Sequence, residues 1–212
     1  MKSKTSIPPT PYPTNEISLR AQILDAARAQ VRRHGEAKTN VVDIARALGT
    51  SHTTIYRHFR SKADIFDALV IEAMRDEEEM ASRFVEAEGP FAERLEGMVL
   101  ALHARKRERF TADTEVYGLY RRIMEERPEI IAAYSQAMTA LIARILADAK
   151  ERGEIRVDDI EAAAGVVRDA VTVFVHPAHV AAAVAASLPS EKMARNVVRT
   201  ICAGFRVGVE LT

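Results

Sequence analysis

The chain has 212 residues, 48% of them hydrophobic, with no tryptophan and a single cysteine. This composition supports one sizeable core or a small module joined to a larger one, and a lone cysteine excludes an intrachain disulfide. The net charge is zero, but residues 1–70 carry 11 Lys and Arg against 6 Asp and Glu, whereas residues 71–212 carry 19 against 24. This asymmetry suggests that the N-terminal end faces a polyanion, with chance variation among surface charges as the alternative.

Apolar residues recur at three- and four-residue spacing along almost the whole sequence, and alternating strand patterns are missing, which predicts an all-α protein. Four prolines within residues 1–15 predict a flexible tail there. The N-terminus lacks the apolar run of a signal peptide, and the most apolar region, Ile160–Leu188, is interrupted by charged residues and a proline. We therefore expect a cytoplasmic protein with no membrane partner.

Nine helices are predicted in chain order. The first covers about 18–34 and stops at Gly35, and the second is short, with Asn40 as N-cap and Asp43 as its capping-box partner. A third helix begins at Ser51. A fourth runs from Lys62 to about 86, and its acidic segment "RDEEEM" is expected to be solvated. Five more follow: one opening at Pro90, then about 112–126, 128–153, a helix from 158 that is disturbed at Pro177, and 190–209.

The third helix, within "TSHTTIYRHF" at residues 50–59, has too few apolar residues for ordinary packing. Only Ile55 and Phe59 are plainly apolar, whereas a packing helix usually has three or four apolar positions in seven. Ala45, then Gly49, then this polar helix are typical of a helix-turn-helix, in which a small residue and a glycine turn let two helices cross closely. The polar face is then available for a DNA major groove, where Thr and Ser offer short donors and acceptors and Arg57 and His58 suit phosphates or guanine edges.

The segment "TNVVDIARALGTSHTTIYRHFRSKADIFDAL", residues 39–69, closely resembles the DNA-binding region of the tetracycline-repressor (TetR) family. With the preceding helix, the resemblance covers about residues 17–70. It rests on these residues: Thr39, Val41, Ile44, Ala45, Gly49, Ser51, Ile55, Tyr56, His58, Phe59, Ser61 and Lys62. Three positions depart from the usual family pattern, namely Glu36, Thr50 and His52, and the last leaves the recognised base sequence open.

The resemblance implies roles for individual residues. Thr39, Tyr56, His58 and Lys62 correspond to residues that bind backbone phosphate. The early recognition-helix positions, which contact phosphates and base edges in the family, are here Ser51, His52, Thr53 and Thr54. After the proline-rich tail 1–15, it implies two domains: a helix-turn-helix DNA-binding domain 16–70 and a helical effector-binding and dimerisation domain 71–212.

The larger half offers candidates for both of its implied tasks. Polar groups among apolar neighbours suggest an effector pocket, and they are His103, Tyr117, Tyr120, Met124, Met138, Arg168, Thr172 and His176. Apolar residues that can form a four-helix dimer interface are Val166, Val173, Val197, Ile201 and Phe205. Packing within one chain is the alternative for each of these residues.

Together with these patterns, the resemblance implies a homodimeric repressor that is released from palindromic double-stranded operator DNA by a small hydrophobic or amphipathic effector. We expect no cofactor and no metal, because His176 and His179 lack a third ligand at suitable spacing. The alternatives are a constitutive DNA-binding protein without an effector and a helical enzyme. The sequence offers the enzyme no phosphate-binding glycine motif and no nucleophile with a base.

Overall fold

The computed structural model describes residues 14–211 and confirms the all-α prediction over that range, which contains no strand. Its ten helices are α1 Thr14–Lys38, α2 Val41–Ala47, α3 His52–His58, α4 Lys62–Glu86, α5 Phe91–Ala112, α6 Thr114–Glu126, α7 Pro128–Glu151, α8 Ile160–Val175, α9 Pro177–Ala185 and α10 Ser190–Val207.

The chain forms two compact units, and the division falls between Ile65 and Phe66. The first unit contains α1, α2 and α3. Its core is built from apolar residues at helical spacing on α1 together with the inward faces of the two short helices, and these buried residues are Ile23, Leu24, Ala27, Val31, Val41, Ile44, Ala45, Ile55 and Phe59.

The start of the chain differs from the prediction in two respects. The first helix begins at Thr14, so it includes the last two residues of the predicted tail, while residues 1–13 lie outside the described range. Gly35 interrupts the helix with a φ of 76°, as expected from its position, but a further turn continues to Lys38. A glycine tolerates this left-handed backbone because it has no Cβ.

The starts of α2 and α4 are fixed in different ways. Asn40 is the N-cap of α2, but its side chain makes no capping bond, and Asp43 pairs with Arg46 at 2.7 Å, so the predicted capping box there was wrong. By contrast, the Ser61 hydroxyl accepts from the Asp64 backbone N–H at 3.1 Å and donates to the Asp64 carboxylate at 2.9 Å. This reciprocal pair fixes the start of α4 at the predicted residue.

The second unit is a helical bundle with one continuous apolar core. Helix α7 packs on α8, and α10 packs on both α5 and α8. Helices α4 and α5 approach closely at Gly97, because a Cβ there would lie 2.6 Å from the Phe84 ring. Helix α7 is long and apolar enough to cross a membrane, the one such helix in the described range, but its residues Met138, Ile142, Ile145 and Leu146 belong to the buried core of this unit.

Polar side chains join helices within this unit. Arg94 on α5 is buried and donates to the carbonyls of Phe84 and Val85 at the end of α4, and to Asp148 on α7. These bonds satisfy carbonyls that a helix C-terminus leaves without partners.

Pro177 opens a separate helix, α9, where the sequence had predicted only a disturbed eighth helix.

Candidate nucleic-acid interface and buried cavity

The turn between α2 and α3 has the geometry of a helix-turn-helix. Gly49 adopts a φ of 63°, which a glycine tolerates without strain. The backbone N–H of Thr50 donates to the Ala45 carbonyl at 3.0 Å, and the N–H of Gly49 donates to Arg46 at 3.2 Å. The small side chain of Ala45 is buried at this crossing. The turn therefore fixes the direction in which α3 leaves α2.

Helix α3 is held by few contacts. Its N-cap, Ser51, accepts the backbone N–H of Thr54 at 3.1 Å. Ile55 is its one buried residue, and Phe59 at its C-terminal end is buried as well, with the Arg20 guanidinium 5.0 Å from the ring centroid. A cation over an aromatic face adds attraction to the packing. Two apolar side chains thus anchor the helix and leave the rest of its surface exposed or partly exposed.

The exposed face of α3 carries the residues that the sequence singled out. Tyr56 is 47% exposed, with its ring edge-on to His52 at 6.3 Å between centroids. The structure also exposes Ser51, Thr53 and Arg57 and partly exposes Thr54, His58 and Lys62. Their predicted phosphate and base contacts stay predictions, but their side chains lie on the surface, as those roles require.

Thr39 has a different environment. It is buried, and its hydroxyl donates to the Gly35 carbonyl at 2.8 Å. This bond ties the last turn of α1 to the start of α2. Thr39 thus contributes to the interior of the first unit. The phosphate contact predicted for it stays a prediction.

The second unit encloses a cavity of about 230 Å³ that is lined mainly by apolar side chains. It brings together six residues of the predicted effector pocket, namely Tyr120, Met124, Met138, Arg168, Thr172 and His176. The wall also includes Met74, Met98, Val99, Leu102, Lys106, Ile131, Tyr134, Ser135, Ile142, Val171, Val175 and Pro177.

Two predicted pocket residues do not line this cavity. His103 is buried, with Nδ1 2.7 Å from the Phe174 carbonyl and Nε2 3.1 Å from the Ser190 hydroxyl. Tyr117 donates its hydroxyl to the Pro177 carbonyl at 3.0 Å. Both polar groups are satisfied by the protein itself, so they connect helices.

A buried ion cluster stands behind one wall of the cavity. The Glu77 carboxylate is fully buried and accepts from Lys106 Nζ at 2.7 Å, Arg109 at 2.7 Å and the Tyr134 hydroxyl at 2.8 Å. The Lys106 ammonium, 2% exposed, also lies over the rings of Tyr120 and Tyr134, at 4.9 and 5.4 Å from their centroids. We name Glu77, Lys106, Arg109, Tyr120 and Tyr134 the Glu77 cluster.

Burial is the largest influence on the pKa of three members of this cluster, Lys106, Tyr120 and Tyr134. It lowers the pKa of Lys106, and the neighbouring Glu77 carboxylate opposes that shift. Burial, followed by the charge of Glu77, raises the pKa of both Tyr120 and Tyr134, so both phenols stay protonated; Tyr134 donates to Glu77, and Tyr120 accepts from Arg109.

Sequence reasoning missed the Glu77 cluster. The prediction that "RDEEEM" is solvated is wrong for Glu77, because this residue follows buried Met74 by three positions and precedes buried Ala81 by four, on the inward face of α4. Lys106 likewise occupies the apolar stripe of α5, four residues after Leu102. A charged residue at a stripe position was the available signal in both cases.

His176 presents an unsatisfied group at the cavity wall. Its Nδ1 is buried and has no hydrogen-bond partner in the described part of the chain. Burial lowers the pKa of this ring, with smaller contributions from the positive charges of His179 and Lys106. The two histidine rings lie 5.1 Å apart, yet no group of three or more metal-ligating His, Cys, Asp or Glu side chains occurs within residues 14–211.

The predicted dimer-interface residues fall into two groups. Val166 and Val173 on α8 are 40% and 47% exposed, and Val197 and Ile201 on α10 are partly buried. Phe205 is 2% exposed and belongs to the core of its own chain, because it lies on the inward face of α10 beside Val198 and Cys202. Its side chain is therefore not exposed on the surface of this chain.

Comparisons with known proteins agree with this architecture. The family described as "Bacterial regulatory proteins, tetR family" matches residues 23–69, and "Tetracyclin repressor-like, C-terminal domain" matches residues 92–198. The HTH-type transcriptional regulator TtgR of Pseudomonas putida is 35% identical over 69 residues, which are 32% of each chain. The match thus spans about a third of the length of that curated relative.

Solved structures match over most of the chain. SmeT, the repressor of the Stenotrophomonas maltophilia multidrug efflux pump SmeDEF, superposes with a TM-score of 0.63 and 20% identity, covering 87% of this chain and 88% of SmeT. The transcriptional regulator FadR of Bacillus subtilis, in complex with stearoyl-CoA, superposes with a TM-score of 0.62 and 19% identity. The match covers 87% of this chain and 98% of FadR. At these identities the likeness establishes the fold.

Proposed function

Because this chain belongs to the tetracycline-repressor family of bacterial transcriptional regulators, we propose that it is a homodimeric repressor that a small effector releases from a palindromic operator. In this proposal residues 16–70 bind DNA and residues 71–212 bind the effector and dimerise. The protein works in the cytoplasm and is not an enzyme. The observation that carries the proposal is α3, whose polar face is exposed while Ile55 and Phe59 alone anchor it.

The DNA contacts divide into positioning and reading. Tyr56, His58 and Lys62 bind backbone phosphates, whereas Ser51, His52, Thr53, Thr54 and Arg57 reach base edges or nearby phosphates. Arg57 is exposed and long enough for either role. A two-fold dimer presents two copies of α3 about 34–36 Å apart or at a multiple of that distance, so the operator is an inverted repeat.

Selection of bound DNA from a random library at physiological salt tests this proposal. We expect an inverted repeat to be enriched, and its affinity to fall steeply with added salt because phosphate contacts release counterions. Enrichment of no palindromic motif would count against the sequence-specific dimer.

The proposed dimer interface uses α8 and α10. Val166 and Val173 lie seven residues apart on one face of α8 and are exposed, and Val197 and Ile201 on α10 supply further apolar surface. Replacing Val173 by Arg should give a monomer in analytical ultracentrifugation. Leu188→Arg is the matched control, because Leu188 is also exposed but lies outside these helices. A Val173→Arg variant that stays dimeric would contradict this interface.

The cavity is the proposed effector site, and α4 connects it to the DNA-binding residues along one helix. Lys62 begins α4, and Met74 in the same helix lines the cavity. Effector binding that shifts α4 changes the position of Lys62 and lowers operator affinity. Linkage requires the reverse effect too, so operator DNA weakens effector binding by the same factor, typically about 1–3 kcal/mol of coupling.

Calorimetry separates this mechanism from the constitutive alternative. A thermal-shift screen first finds a compound that stabilises the protein by mass action. The same compound is then titrated into free protein and into the operator complex. Weaker binding to the complex supports effector release, whereas equal affinities would leave DNA binding intact and remove the allosteric claim.

A further inference from the structure

The polar groups that line the cavity are strongly biased toward hydrogen-bond donors. Lys106 and Arg168 are cations, and the eighteen residues of the wall include no aspartate or glutamate. The Tyr120 hydroxyl oxygen accepts from Arg109 at 3.1 Å, so its own proton is available to another acceptor. A neutral phenol and an ammonium can both donate toward the cavity, and neither is an anion.

The two carboxylates behind the wall, Glu77 and Asp76, are already paired with the two cations there and equal them in number. Within the Glu77 cluster, one fully buried carboxylate faces two cations, Lys106 and Arg109. The remaining acidic partner, Asp76, is an exposed residue that pairs with Arg109 at 3.2 Å. Lys106, the more deeply buried cation, donates to Glu77, lies over the rings of Tyr120 and Tyr134, and also lines the cavity. An anionic group in the cavity would meet this ammonium away from water, where a charge-assisted hydrogen bond is strong.

His176 is an independent observation that points to a polar ligand. Its Nδ1 is buried without a partner in the described residues, at a wall that also contains Lys106. An unsatisfied buried polar atom costs free energy, and a ligand oxygen or hydroxyl in the cavity would satisfy it.

The rest of the wall is apolar and adaptable. Four methionines, Met74, Met98, Met124 and Met138, line it together with aliphatic side chains. Methionine is flexible and polarizable, so such a surface accommodates apolar chains of differing shape.

We propose that the effector class is an acidic amphipathic molecule, whose anionic head pairs with Lys106 and the Tyr120 hydroxyl and whose apolar body lies among the methionines. This inference rests on the proposed effector role of the cavity and specifies the chemistry of its occupant. Every member of this class carries an anionic oxygen group on an apolar body.

Three probes of one chain length test it: octanoate, octanol and octylamine, each titrated by calorimetry into the full-length protein. Octanoate should bind at least about tenfold more tightly than octanol, the ratio expected for one charge-assisted hydrogen bond, and octylamine should bind least. Equal binding of octanoate and octanol, or preferred binding of octylamine, would overturn the inference and leave the effector role standing.

Variants locate the head group. Lys106→Met should reduce octanoate affinity to that of octanol and leave octanol affinity unchanged, while circular dichroism checks that the variant folds. Arg168→Gln is the control, because Arg168 is the other cation of the wall and is half-exposed beside Asp169. Loss of the octanoate preference in Arg168→Gln but not in Lys106→Met would refute the assignment to Lys106. If none of the three probes binds, the inference fails, while the thermal-shift screen still decides the effector role of the cavity.

Discussion

The two units of this protein place polar chemistry in opposite environments. In the first unit, polar residues of α3 lie on the surface, and two apolar side chains hold the helix that presents them. In the second unit, charged residues of α4 and α5 are buried around one another beside a cavity. A surface site of this kind loses function when single side chains are removed, whereas a buried ion cluster also loses stability, because its groups depend on each other.

The largest expected effect is in the second unit. Glu77→Ala leaves Lys106 and Arg109 without their shared carboxylate and should lower the free energy of unfolding by about 3–5 kcal/mol, measured by urea denaturation. Glu79→Ala is the matched control two residues away, because its ion pair with Arg83 is exposed on both sides and is worth about 0–1 kcal/mol. If both variants lost a similar, small free energy of unfolding, burial of Glu77 would not make its ion pairs more important than the exposed pair of Glu79.

The next effect concerns DNA binding by the first unit. Thr53→Ala should change base preference at one operator position by about 1–3 kcal/mol, whereas Lys62→Ala and Tyr56→Phe should weaken binding to all sequences alike. Affinities for a set of single-base operator variants separate the two patterns. If Lys62→Ala changed preference while Thr53→Ala did not, the reading and positioning roles would be exchanged.

A smaller effect tests how α3 is held. Ser51→Ala removes the oxygen that accepts the Thr54 N–H and should cost about 1 kcal/mol of stability. Ser51→Asn is the control, since Asn is as good an N-cap as Ser, and it should be nearly neutral. An equal loss from both replacements would mean that the hydroxyl acts through something other than the cap.

The smallest effect is a pH dependence of stability from His176. Burial, His179 and Lys106 lower the pKa of this ring below its usual 6.5, so the unfolded chain binds the proton more readily than the folded one. The contribution to stability is therefore complete above pH 6.5 and is lost as the pH falls below that value. Replacing His176 by Gln should flatten the fall in melting temperature over this range, and an unchanged pH profile would contradict it.

The first unit was easier to predict from the sequence than the second. The helix-turn-helix could be predicted because its signals, Ala45, Gly49, Ser51 and Ile55, are close in sequence and act through local geometry. The start of α4 was predicted for the same reason. Six of the eight predicted pocket residues do line the cavity, since polar groups on apolar stripes point inward.

The remainder depends on contacts between distant parts of the sequence. In the sequence, His103 and Tyr117 look the same as the cavity residues. Only the structure shows that they bond to the carbonyls of Phe174 and Pro177, which lie about 60 to 70 residues later in the chain. Glu77 was hidden in an acidic run, and only packing against Lys106 reveals its role. The extra helix α9 was missed because a proline that interrupts one helix is also well suited to begin another.

The shared carboxylate of Glu77 also constrains how this protein can evolve. Its two oxygens accept from three side chains on α5 and α7. Replacing any one of these residues therefore changes the hydrogen bonds and charge pairing of the others. The effects of mutations at such positions are not additive. Positions 77, 106 and 134 should therefore change in concert among descendants of this chain, whereas the exposed residues of α3 are free to vary one at a time as operators diverge.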